Sequence, residues 1–107
     1  MKKIINGLRY DTENAIEVGS YAHGSYPNSG DFSHWWATLY KTPRSGRFFL
    51  HGEGGAMTRF AEHSPYGGAC GGEKLIPMSR EEAQEWAETY LDVDIIDEHF
   101  HDSVEDA

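Results

Sequence analysis

The sequence predicts an α+β domain: a small antiparallel sheet of about four strands, built round a central hairpin and packed against a C-terminal amphipathic helix. Three observations carry that expectation. Residues 34–55 form two runs rich in β-formers about a Pro, Ser and Gly turn, which is a hairpin signal. Residues 80–91 repeat apolar side chains at helical spacing behind a capping box. A chain of 107 residues suits one small domain, 1–107, with an acidic helical region over 79–107.

In chain order, K-I-I-N-G-L-R-Y-D reads as a short hairpin, because Asn6-Gly7 is the preferred type I′ pair. Asp11 is then a plausible N-cap for a short helix, with Ala15, Ile16 and Val18 inward and Gly19 as its stop. Residues 20–33 are rich in turn formers and read as a loop pinned by Tyr21, Tyr26 and Phe32.

On the first strand of the central hairpin, Trp35, Ala37 and Leu39 face one way while Trp36, Thr38 and Tyr40 face the other. Both faces are largely apolar, so the sheet needs cover from helix on one side and from loops or a partner on the other. Pro43 fits an early turn position, and Gly46 one that needs positive φ. Seven of the twelve Gly lie between Gly52 and Gly72. No G-K-[ST] follows Gly52-Glu53-Gly54-Gly55, so these glycines read as turns of the backbone rather than a phosphate loop. Glu73–Met78 is a further strand, placed at a sheet edge by Pro77.

Ser79 and Glu82 form the capping box of the main helix, whose inward stripe is Ala83, Trp86, Ala87, Tyr90 and Leu91. Asp92-Val93-Asp94 bends the chain into a second short helix with Ile95, Ile96 and Phe100 apolar, and the last five residues should fray.

Charge is segregated along the chain. Residues 1–80 carry nine Lys and Arg against seven acids, net +2, while residues 81–107 carry eleven acids and no Lys or Arg. Such an end repels free nucleic acid and attracts a basic protein surface. No stretch has the roughly 20 apolar residues of a membrane span, and residues 1–7 reach a turn too early for a signal peptide. Cys70 stands alone, which excludes an internal disulfide and suits a reducing cytoplasm.

Three blocks, K-I-I-N-G-L-R-Y-D-T-E-N-A, F-F-L-H-G-E-G-G-A-M-T and G-G-E-K-L-I-P-M-S-R-E-E-A-Q-E-W-A-E, cover 42 residues. They resemble a family of small acidic proteins of phages and mobile elements, some of which act as anti-CRISPR inhibitors. The resemblance implies a stoichiometric inhibitor of a Cas effector or surveillance complex in the cytoplasm of a bacterial host. It brings no catalytic signature.

The residues themselves offer a surface for such a partner. Glu81, Glu85, Glu88 and Asp92 recur at i, i+4, i+7 and i+11 on the outward helix side, with neighbours roughly 6 Å apart, and Asp94, Asp97 and Glu98 extend the acid. Like charges at i, i+4 cost about 0.2–0.5 kcal/mol per pair, and no Lys interrupts them. The row can compete for Lys and Arg that hold DNA phosphates at a DNA- or PAM-binding site; an ordinary solvated helix face is the alternative.

A zinc-binding or host-takeover interaction module without nucleic-acid mimicry is the rival class. His99 and His101 lie near Asp97 and Asp102, and His63 precedes Cys70 by seven residues, yet neither set has the two-plus-two spacing of structural zinc. Cys70 followed by two Gly matches no nucleophile signature, so no enzyme activity, cofactor or metal is expected. Lys41, Arg44 and Arg47 at the hairpin tip could touch phosphate or simply be solvated.

Overall fold

The computed structural model describes residues 1–24, 33–63, 65 and 67–107. Its centre is a four-stranded antiparallel sheet in the order β3 (Ile16–His23), β4 (Trp35–Lys41), β5 (Phe48–Gly54), β8 (Gly72–Met78). Helices α1 (Arg80–Tyr90) and α2 (Val93–Phe100) pack on one face. A separate hairpin, β1 (Lys2–Ile5) with β2 (Leu8–Asp11), covers part of the other. A two-residue ladder, β6 (Glu62–His63) with β7 (Ala69–Cys70), completes the strands. The expected α+β class is what forms, with β8 and its Pro77 at the sheet edge.

The register fixes which side chains share a face. Leu39 opposes Leu50, which opposes Ile76, while Tyr40 opposes Phe49, which opposes Pro77. Ala37, Leu39, Phe48 and Leu50 therefore meet Ala83, Trp86, Ala87, Ile96 and Phe100 of the helices. On the reverse face Phe49 and Leu75 meet Tyr10, with Ile5, Ala15 and Tyr40 around them. Phe49 lies edge-on to Tyr10 at 5.4 Å and stacked on Tyr40 at 5.2 Å. The second cover that the sequence demanded is thus the N-terminal hairpin. Its Asn6 and Gly7 both have positive φ, as a type I′ turn requires.

Two expectations are corrected. Asp11 caps no helix: its carboxylate accepts hydrogen bonds from the Glu13 N–H at 3.0 Å and the Asn14 amide at 2.7 Å, which forms a turn, and residues 16–23 continue as a strand. Pairing with β4 outweighs the weak helical spacing of Ala15, Ile16 and Val18, two of which are β-branched. Ile16 is consequently exposed, Val18 joins the helix-side core, and Gly19 lies beside a register shift. Leu91 leaves Gly19 no room, since an added Cβ would lie 2.9 Å from both its methyls. Residues 20–23, expected in a loop, belong to the same strand; Tyr26 and Phe32 lie outside the described residues.

The second correction concerns the glycines. Gly52 and Gly54 do not turn the chain but lie inside β5, because the fully buried Phe60 ring presses directly on Gly52. A Cβ at Gly52 would collide with that ring and come within 2.6 Å of the Trp36 carbonyl.

Two substitutions measure these contacts. Trp86→Ala, which empties a site 6 % exposed, should cost about 3–5 kcal/mol in urea denaturation. Gly52→Ala should cost about 1–3 kcal/mol through overpacking, although it adds one methyl and removes nothing. An unchanged midpoint in either variant would show that the corresponding packing is wrong.

Candidate functional site

Helix α1 is set in place by its cap. The Ser79 hydroxyl accepts from the Glu82 N–H at 3.1 Å, and the Glu82 carboxylate accepts from the Ser79 N–H at 3.0 Å. The Ser79 backbone N–H, and after it the Ser79 side chain, favour the ionised Glu82 carboxyl and hold it below the ordinary carboxylate range. With Ala83, Trp86 and Ala87 buried, Glu81, Glu85 and Glu88 are turned outward and exposed. The Gln84 amide donates to Glu88 at 3.1 Å.

The helix has one cation, Arg80, and it is directed elsewhere: its guanidinium pairs with Asp102 and lies over the Phe100 ring, 5.5 Å from the centroid. The three outward glutamates therefore keep their charge unneutralised by any ion pair among the described residues. Asp92 does not continue their row in helical register. Leu91 is extended, with ψ 163°, so α1 ends before Asp92, whose carbonyl accepts the first N–H bonds of α2. Asp94, Asp97 and Glu98 are exposed on α2. The acid thus occupies two helices rather than a single line of four.

Beside the acidic face lies a groove that the sequence did not reveal. Tyr90 is half-buried among Trp86 at 5.1 Å, Trp35 at 5.0 Å and Tyr21 at 4.9 Å, and with Trp86 it lines a cleft of about 230 Å³ shared with Glu82, Glu85 and Arg59. A second cleft of about 300 Å³ continues it past Trp35 towards His23 and the exposed Met57. Tyr90 had been legible as the outer edge of the apolar stripe, but nothing in the sequence placed Trp35 and Arg59 beside it. Carboxylates next to aromatic faces suit a Lys or Arg side chain, which gains a charge-assisted hydrogen bond and a cation–π contact together.

No protein-family profile, curated protein or solved structure matches the chain. The candidate metal ligands are not brought together. His63 is opposite Ala69 and Cys70 opposite Glu62, so pleat alternation puts the two side chains on opposite faces of their ladder. His99 is in α2 and lies 3.8 Å from Glu98, and His101 opens the following 3₁₀ turn. Among the described residues, no three His, Cys, Asp or Glu converge as a metal site would require. Cys70 is exposed, its thiol 3.6 Å from the Glu62 carbonyl. No described helix is long and apolar enough to cross a membrane.

The cap offers a pH test of the platform. Because the folded Glu82 carboxyl is depressed, its stabilising effect is complete above the unfolded value of about 4.3 and is lost as pH falls through the lower folded value. Glu82→Gln, which removes the titrating carboxyl, should lower the melting temperature at pH 7 and flatten its decline below about pH 4.3. An equally steep acid decline in the variant would show that the cap does not hold this carboxylate.

Proposed function

We propose that this chain is a stoichiometric protein inhibitor of a CRISPR effector, acting through an acidic helical face that occupies basic side chains otherwise engaged with DNA phosphates. The observation that carries the reading is the unneutralised set Glu81, Glu85 and Glu88, held outward by a buried stripe and reinforced by Asp92, Asp94, Asp97 and Glu98. Helix spacing puts neighbouring carboxylates of α1 roughly 6 Å apart. A surface selected only for solubility mixes its signs, whereas this one bears like charges at some cost to the helix.

The aromatic cleft supports a protein partner in particular. Tyr90, Trp35 and Trp86 supply rigid, partly apolar contact area beside the acid, the combination that anchors protein interfaces, with Arg side chains as natural counterparts. The narrowing to a CRISPR effector comes from the three-block resemblance. The partner contact would then lie on the effector's DNA- or PAM-binding surface, inside a bacterial cytoplasm, and would need neither cofactor nor chemistry.

Charge reversal separates this reading from a solvated acidic face. Glu81, Glu85 and Glu88 are exposed, so replacing all three by Lys should leave the fold intact by circular dichroism. Against panels of purified Cas effectors, the wild type should compete with target DNA, associating more slowly as salt rises. The reversed variant should lose inhibition at least tenfold. Tyr90→Ala should weaken binding without changing its salt dependence. Full inhibition by the folded reversed variant would rule out mimicry, and absence of binding to every effector would remove the CRISPR assignment.

A further inference from the structure

We propose a second, independent binding site: a basic pocket for a nucleoside phosphate, between the N-terminal hairpin and the β4–β5 turn. The cavity measures about 330 Å³, at the small end of the range for ligand sites and enough for one nucleotide unit. Arg9 of β2 and Arg44 and Arg47 of the turn line it. None of the three guanidiniums has a carboxylate within ion-pair distance among the described residues.

The one acid of the pocket, Asp11, is already engaged. The Glu13 N–H, the Asn14 amide and Lys2 all favour its ionised form and hold its carboxyl below the ordinary range. It orders the turn below the pocket and leaves Arg9, Arg44 and Arg47 to an external anion. The frame carrying the last two is well tied. The Thr42 N–H donates to the Arg47 carbonyl at 2.8 Å, the Arg47 N–H donates to the Thr42 hydroxyl at 2.9 Å, Ser45 bonds the same hydroxyl at 2.8 Å, and Gly46 takes positive φ.

Three guanidiniums match phosphate oxygens as planar, two-pronged donors. Leu8, Ala15 and Pro43 give the pocket an apolar wall, which a bare inorganic ion would leave unused and a base or ribose would cover. Tyr10 is only 5 % exposed, so bases would lie on the guanidinium planes rather than on its ring. The overall charge of −9 does not forbid this. The acidic residues are concentrated on helices packed on the opposite sheet face, and salt screens exposed charges beyond about 8 Å at physiological ionic strength. The phosphate can belong to a free nucleotide or to a single strand, and the two sources are distinguishable.

The test is titration of the ¹⁵N-labelled full chain with AMP, with inorganic phosphate, and with a fluorescein-labelled ten-nucleotide single strand read by anisotropy. AMP should shift amides of Arg9, Tyr10 and Thr42–Arg47, and inorganic phosphate should bind more weakly. Tighter binding of the strand than of AMP would identify a strand as the source; equal or weaker binding would identify the free nucleotide. Arg9→Ala and Arg47→Ala, both at exposed positions, should each weaken the tighter ligand about tenfold. If that ligand is the strand, each should also reduce the slope of log K against log salt by about 0.7. Lys substitutions at Glu81 and Glu85 should not move the amide shifts of the pocket. No shift with any probe at millimolar concentration, shifts outside the pocket, phosphate binding as tightly as AMP, or an unaltered affinity in both Arg variants would overturn the site.

Discussion

The β4–β5 pair must be buried on both faces, and the rest of the molecule follows from that requirement. Leu50 and Phe49 are neighbours in sequence, are both fully buried, and point to opposite sides of the sheet. Each side needs its own cover, since leaving one such side chain in water forgoes about 1.5–3 kcal/mol. The helices supply one cover and the N-terminal hairpin the other, so a chain of 107 residues forms three layers. Tyr10 and Phe100 are then equivalent in role, each closing an aromatic contact with β5 from its own side.

Close approach at small residues completes the helix-side layer. Phe60 reaches the sheet only because Gly52 has no Cβ, and Leu91 reaches β3 only because Gly19 has none. These contacts tie the segment after β5 and the α1–α2 corner to the sheet. They also position Trp35 against Tyr90, and hence the floor of the groove next to the acidic face.

What could be read from the sequence was what local chemistry decides. Asn6-Gly7, Gly46 and the Ser79–Glu82 box each specify a backbone geometry by themselves, and all three occur where expected. The inward stripe of α1 was equally legible, because helical spacing sorts Trp86 from Glu85 without reference to the remainder of the fold. Strand β3 was not: Asp11 and Gly19 mimic helix boundaries, and only pairing with Trp35–Lys41 reveals the strand. The glycines of β5 misled for the same reason, since their cause is the ring of Phe60, a residue eight positions beyond Gly52 that gave no periodic signal. At the candidate site the carboxylates of α1 were visible as spacing, whereas the aromatic groove is made by side chains from β3, β4 and α1 and exists only after folding.

The layering has an electrostatic consequence that the sequence states only as a gradient. The acidic quarter of the chain folds into the helical layer, and Arg9 lies in the hairpin layer with Arg44 and Arg47 beside it, so the sheet stands between the acidic helices and these three arginines, while Arg59 and Arg80 stay on the helix side. Within each region the internal pairing is economical: Arg80 serves Asp102, and Lys2 serves Asp11. Arg80, Asp102 and Lys2 are exposed, and pairs made at such a surface contribute about 1 kcal/mol or less, so stability does not explain why Glu81, Glu85, Glu88, Arg9, Arg44 and Arg47 have no ion-pair partner among the described residues. A fold held by its two apolar cores can tolerate that separation, and a surface so divided presents two chemically opposite faces to whatever binds it.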